Sequence, residues 1–391
     1  MDLLLVISID GLNARALGPY GNHWIPTPFF NQLAANGVVF DFFFAESDNC
    51  SVNLNSMLGG HHALASSSKS ASKIEVSNWD LLITDDKVDD EFANRFLAVD
   101  SLEFDNAETS DDQLEALLGL AFTQIESCVK NSEQKILKVW VHSGALFSNW
   151  NAPLEVQDWF KDDSDPEPVR FEPPPSLVLD EGFDPDERLR ILHAYAAEIV
   201  QLDDNLSSFF KTLSELELAN IRMAVSVVRG FATGEHLEIG SEGATFHPEK
   251  LQLPLIVHAA DMLPTRVQKV FGSHQFCENI EESISRPNSF DADDSDDESS
   301  FVISLCEAFA RIQTRAWAYI HPLVDGTIDD ESPGQLFAKP GDHLEINEVS
   351  DVCPQIANGL RKELERQLKA YASGQVPEPA NLAPELFELA T

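Results

Sequence analysis

Basic residues are scarce in this chain. Its 391 residues hold 26 Lys and Arg against 66 Asp and Glu, a formal net charge of -40. Sequence-independent binding to nucleic acid or to an anionic membrane surface draws on clustered cations that release counterions, so both are excluded as partners. Cysteine is sparse too: Cys50, Cys128, Cys277, Cys306 and Cys353 are odd in number, widely spaced and without a CxxC pair. That pattern argues against a disulfide framework and against a zinc knuckle. No window approaches the roughly 18 consecutive apolar residues of a membrane span. The opening MDLLLVISID lacks a basic leader region and its apolar run ends at Asp10. It reads as a buried strand rather than a signal peptide, so a soluble, cytoplasmic chain is expected.

What is present supports a folded protein. A hydrophobic share of 43 % is well above that of a disordered acidic chain, so a sizeable core can form. Leu3 to Ile9, broken only by Ser8, reads as a strand covered on both faces. Further strands are expected at 37–44, 80–84, 136–141, 223–228 and 253–259. Helices are expected after Pro26-Thr27-Pro28, over 51–58 with Cys50 at the N-terminal side, over 111–128 and over 187–216. This alternation implies an α/β sandwich with a mixed, mostly parallel sheet. The Pro- and acid-rich 162–185 reads as irregular, and the acidic run 289–300 as a linker or loop. Expected boundaries are therefore an N-terminal α/β domain over 1–285, a linker over 286–300 and a smaller C-terminal α+β subdomain over 301–391. The latter opens with a helix or strand and closes with an amphipathic helix over 354–371. The surplus of acid is expected on surface and loops, where it serves solubility in salt.

Several spaced segments carry a resemblance. Ile7-Ser8-Ile9-Asp10-Gly11-Leu12, Gly18-Pro19-Tyr20-Gly21, Pro26-Thr27-Pro28, Leu33 to Phe40 and Cys50-Ser51 to Gly60 follow one another in the order and spacing of the sulfatases. These are the formylglycine-dependent branch of the alkaline phosphatase superfamily. Gly230, Gly234-Glu235-His236 and Pro254-Leu255-Ile256 resemble that family's later block, and Arg315 to Ile320 with Gln335 to Phe337 its C-terminal sheet. The resemblance covers most of the chain and implies a sulfatase-like fold. It also implies a calcium ion held by acidic oxygens, a cysteine converted to a formylglycine nucleophile, and cationic or imidazole groups that hold the sulfate.

The chemical residues depart from that pattern. Asp10 keeps the position of the first metal ligand, though a strand-end cap explains it equally well. Cys50 holds the nucleophile position, but the maturation signal Cys-x-Pro-x-Arg reads Cys50-Ser51-Val52-Asn53-Leu54. Its thiol is either activated by the helix N-terminus or buried and inert. The family's Asp-His-Gly is replaced by Val228-Arg229-Gly230, and its central-loop histidine falls near Phe147. The lysine ahead of Glu242-Gly243 is missing from Leu237 to Ser241. Arg229 is expected either to pair with Asp10 or to bind an oxyanion. Of the acids, Asp10 with Glu235 or Glu242 is expected near the site.

His61, His62, His142, His236 and His247 are candidates for a zinc or manganese site, or for hydrogen-bonded structural roles. Trp317, Tyr319, Trp140, Trp150 and Trp159 are read either as core or as a carbohydrate cleft. The leading expectation is a catalytically inactive pseudo-sulfatase with a binding or assembly role. Its candidate residues are Cys50 at the nucleophile position, Arg229, His142 and His236 for binding, and Asp10 as a vestigial metal position. No cofactor is expected, calcium only if the family site functions, and the partner is a small anion or another protein. The alternative is a sulfuric or phosphoric ester hydrolase built on Asp10, Cys50 and His236.

Overall fold

The structure, a computed structural model, describes residues 1–65, 79–102, 112–131, 134–241, 246–285, 301–375 and 383–387. The expected linker over 286–300 and the Glu242-Gly243 pair lie outside the described residues. Strands in chain order are β1 (Asp2–Asp10), β2 (Gly37–Phe44), β3 (Trp79–Thr84), β4 (Phe96–Ser101), β5 (Ile136–Ser143), β6 (Leu177–Val178), β7 (Asn220–Arg229) and β8 (Ala232–Thr233). They continue as β9 (Glu238–Gly240), β10 (Gln252–Ala259), β11 (Thr265–Gly272), β12 (Val302–Leu305), β13 (Phe309–Gln313), β14 (Trp317–Val324), β15 (Thr327–Ile328) and β16 (Gln335–Ala338). The longer helices are α1 (Pro28–Ala35), α2 (Cys50–Gly59), α3 (Gln113–Asn131), α4 (Pro185–Leu213), α5 (Phe276–Ser285) and α6 (Pro354–Ala372).

Eight strands form the central sheet in the order β11-β2-β10-β7-β1-β5-β3-β4. Only β10 runs against its neighbours, so the sheet is mixed and mostly parallel. β1 sits at its middle, and its residues from Leu3 to Asp10 are buried, because helices cover both faces and the strand must be apolar on each. Trp140 of β5 is fully buried and meets Trp79, Phe92, Phe96 and Phe276 at centroid distances of 5.1 to 6.4 Å.

Parallel strands end on one edge, and that edge positions the site. In the ladder Ser8 pairs with His142, Thr84 with His142, and Asp10 with Arg229. The carboxyl ends of β7, β1, β5 and β3 therefore stand side by side, where open α/β sheets carry their functional groups. Helix α2 starts beside them. Asn49 caps it, its side chain accepting from the Val52 N–H, and Gly60 closes it at φ 64.

The C-terminal strands β12 to β16 form a second, antiparallel sheet with its own apolar cluster, in which Trp317, Tyr319, Leu360 and Leu364 are buried. The segment after Phe301 is thus strand and not helix. β4 and β11 had no sequence expectation, because they are the sheet edges and their pattern is diluted: Leu97 and Val99 are exposed on β4. The 162–185 segment contains the two-residue strand β6, and Pro185 already belongs to α4, which Asp184 caps. The aromatic cleft does not form. Trp140 and Trp150 lie in the main core, Trp317 and Tyr319 in the second, and Trp159 is exposed. Among the described residues no helix is long and apolar enough to cross a membrane.

Candidate functional site

Asp10 ends β1 with 2 % of its side chain exposed, and Arg229 ends the neighbouring β7. The guanidinium approaches as a fork: Arg229 Nε donates to Asp10 Oδ1 at 2.9 Å and Nη2 to Oδ2 at 2.9 Å. Its Nη1 faces the Asp48 carbonyl at 3.4 Å, and its carbon lies 4.3 Å from the centre of the Phe147 ring. Phe147 thus offers the cation an aromatic face. Burial pushes the Asp10 carboxyl up, and Arg229 brings it part of the way back.

The backbone around Asp10 is held firmly. Gly11 adopts φ 92, and a Cβ there would stand 2.9 Å from both Leu146 and Phe147 side chains. Tyr195 Oη donates to the Gly11 carbonyl at 2.8 Å and accepts from the Asn13 N–H at 2.8 Å, so one buried hydroxyl closes the turn leaving β1. Tyr195→Phe leaves both backbone groups without that partner. A loss of about 2 kcal/mol is expected in urea unfolding with the slope unchanged.

Cys50 stands at the first position of α2, with Sγ 3.9 Å from His142 Nε2. Its thiol is not activated. Burial raises its pKa, Asp10 and Asp86 raise it further, and Arg229 only partly opposes them. The helix N-terminus is outweighed because the sulfur is mostly out of water and faces two carboxylates. Leu54, where the maturation signal would have its arginine, is 1 % exposed and part of the core. Asn53 donates to the Ser47 and Val228 carbonyls at 2.7 and 2.9 Å, locking α2 to the end of β7.

Two carboxylates without a sequence expectation reach the site from the end of β3. Asp86 Oδ2 is 3.7 Å from His142 Nε2, and the histidine holds the Asp86 carboxyl below its usual value although burial opposes this. Asp85 accepts from Ser143 Oγ and from the Gly144 N–H, both at 2.9 Å, which ties the loop after β5 to that after β3. Cys50, Asp86 and His142 are, among the described residues, the one group of ligating side chains at metal-binding spacing, with their ligand atoms within 4.8 Å of one another.

His236 is placed elsewhere, so the expected trio of Asp10, Cys50 and His236 is corrected to Asp10, Cys50 and His142. His236 lies in the turn between β8 and β9, on a small separate sheet. It stacks on His247 at 3.6 Å, meets Glu249 at 2.6 Å, and faces the Glu345 carbonyl at 3.3 Å. His62 lies in a third place, against the Ile303 carbonyl at 3.0 Å and stacked on Tyr371. The candidate histidines therefore do not converge on one ion. Glu235 bonds Thr233 and Arg15 and takes no part in the site.

The family's calcium does not fit these residues. A hard cation of that kind takes six to eight oxygens. Here both Asp10 oxygens receive hydrogen bonds from Arg229, and the Val228 side chain offers no ligand atom.

A scan against protein families finds no match, and neither does a search of curated proteins. Solved structures do match. A phosphonate monoester hydrolase of Agrobacterium radiobacter superposes with a TM-score of 0.70 at 13 % identity, covering 95 % of each chain. A phosphonate monoester hydrolase from Silicibacter pomeroyi gives 0.69 at 14 % identity, over 94 % of this chain and 96 % of that one. A 2-O GAG sulfatase, BT1596, gives 0.64 at 12 %, over 98 % and 95 %. The chain has the fold of these sulfatase and phosphonate monoester hydrolase structures. In it an arginine lies on the aspartate that ends the central strand.

Proposed function

We propose that this protein is a non-catalytic pseudo-sulfatase that acts by binding or assembly. The observation that carries the reading is the Arg229 fork on Asp10, which puts a fixed cation against the carboxylate a catalytic metal would need. The site also lacks the other parts of ester hydrolysis. Cys50 has no maturation signal, its thiol is raised by burial, and the resemblance leaves Phe147 near where an imidazole is expected. Arg229 has its Nε and Nη2 on Asp10, which favours the internal ion pair over capture of a free oxyanion. The partner is then better sought among proteins than among small anions. A reducing, intracellular setting is supported by the five free cysteines.

The test combines turnover and mass. Aryl sulfate, phosphate monoester and phosphonate monoester should show no hydrolysis above buffer, with or without added calcium or manganese. The Cys50 peptide should have the mass of unmodified cysteine. Formylglycine at Cys50, or metal-dependent turnover abolished by Asp10→Ala, overturns the reading. It would favour the second one, an ester hydrolase built on Asp10, Cys50 and His142, to which the thiol and imidazole at 3.9 Å give some support.

A further inference from the structure

We propose that Cys50, Asp86 and His142 bind a borderline-soft divalent cation of the zinc class, beside the Arg229–Asp10 pair. The proposal goes beyond the non-catalytic reading and does not rest on it.

The distances come first. Cys50 Sγ is 3.9 Å and Asp86 Oδ2 is 3.7 Å from His142 Nε2. An imidazole–carboxylate gap of that length is beyond hydrogen-bond range. A tetrahedral zinc with its usual bond lengths to nitrogen and sulfur sets those two atoms about 3.6 Å apart. A contraction of a few tenths of an ångström therefore suffices for the two pairs that share His142, and the Cys50–Asp86 pair, within 4.8 Å, closes by rotation of the half-exposed Asp86 side chain.

The imidazole is also oriented for ligation. Ser8 Oγ lies 3.0 Å from His142 Nδ1 and accepts from Trp140 Nε1 at 2.8 Å. The Ser8 hydroxyl can turn its proton to the Val141 carbonyl, 3.5 Å away, and its oxygen then receives the Nδ1 proton. In that tautomer Nε2 presents its lone pair to Cys50 and Asp86, the arrangement that metal-binding histidines use. Ser8 and His142 are register partners on β1 and β5, so this support stands on the most buried part of the sheet.

Charge and softness select the ion. Asp10 neutralises Arg229, so the pair adds no net charge beside the site. Asp86 and a Cys50 thiolate then balance a dication, with His142 neutral. On binding, the Cys50 S–H bond breaks, an S–metal bond forms, and the proton leaves to the buffer. Thiolate and imidazole donors suit zinc and its neighbours, whereas calcium prefers oxygen alone. Three protein ligands leave one coordination position for water or for a donor from a partner.

The test uses the full-length protein, stripped with chelator and titrated with Co²⁺ and then with Zn²⁺. One equivalent of cobalt should bind, with a thiolate-to-cobalt charge-transfer band in the near ultraviolet that zinc abolishes and millimolar calcium leaves intact. Cys50→Ser should lose the band. His142→Gln and Asp86→Asn should each weaken zinc, the former by roughly 100-fold. Asp86 is partly exposed in a loop, so its variant reports on binding even where a core variant unfolds. Failure of the wild type to bind one equivalent, cobalt bound without the thiolate band, displacement by calcium, or unchanged zinc affinity in all three variants each overturns the proposal. None of these readouts measures hydrolysis, so a failed metal site and a failed non-catalytic reading are told apart.

Discussion

Glu345→Ala is expected to lower the unfolding free energy by about 4 kcal/mol, the largest effect of any single substitution proposed for this chain. Glu345 and Arg311 are both fully buried, 0 % exposed, and their bonds run from Arg311 Nη1 and Nη2 at 2.7 and 2.5 Å. Lys339 Nζ at 2.7 Å and His247 Nδ1 at 2.8 Å complete the ring of donors around one carboxylate. Removing that carboxylate leaves Arg311 and Lys339 as cations with water excluded, which costs far more than the net worth of the pair. The cluster joins β13 of the second sheet to His247, just ahead of β10 in the central one, so its loss should loosen the second sheet first. Replacing both partners by apolar residues, Arg311→Met with Glu345→Leu, should recover part of the stability, because of the two cations only Lys339, which also donates to the Asp342 carbonyl at 2.9 Å, then lacks a carboxylate. Equilibrium urea unfolding of the single and double variants checks both statements.

The same group sets an acid limit. Burial works to raise the Glu345 carboxyl, but Arg311, His247 and Lys339 hold it well below the usual carboxylate range. A carboxyl depressed in the folded state contributes stability that is fully present above its unfolded value, near 4.5, and is lost as pH falls toward its folded one. The stability gap between wild type and Glu345→Gln should therefore be constant above about pH 5.5 and narrow on further acidification.

Arg229→Met is the second large effect, expected at about 3 kcal/mol at pH 8. It leaves Asp10 buried beneath a neutral side chain, and the partial exposure of Arg229 keeps the loss below that of the fully enclosed Glu345 cluster. The gap again narrows on acidification, here because the buried carboxyl is raised rather than depressed. Burial already raises the Asp10 carboxyl, and removing the guanidinium raises it further. A raised acid favours the fold at low pH and opposes it as pH climbs through the folded value. The destabilisation by Arg229→Met should thus shrink from pH 8 to pH 5. Asp10→Asn in the same chain should restore much of it at pH 8, measured again by urea unfolding.

The parts of the fold that sequence makes legible are those whose burial leaves an unbroken signal. β1, β2, β5, β7 and β10 are interior strands, apolar on both faces, and they read directly as such. The edge strands β4 and β11 mix exposed and buried positions and give no such signal. At the site, Asp10 and Arg229 stand out because each ends an apolar run, and the β1–β7 register makes them neighbours. Asp86 does not stand out: it is one of 66 acids, in a short polar stretch indistinguishable from any solvated turn. What brings it to His142 is the order β1-β5-β3, a long-range pairing that no local window contains. His236 shows the converse, since spacing along the chain could not tell that its turn belongs to the small sheet.

The fork of Arg229 on Asp10 has a consequence for how the molecule answers its surroundings. A bound ion has a dissociation constant, can be titrated away, and ties a fold to whatever concentration of that ion its compartment supplies. A guanidinium carried on the neighbouring strand has none of these liabilities, for it is present at one per chain by covalent connection and cannot be chelated. The centre of this sheet should therefore be indifferent to calcium: neither added calcium nor a calcium-selective chelator is expected to move its melting temperature.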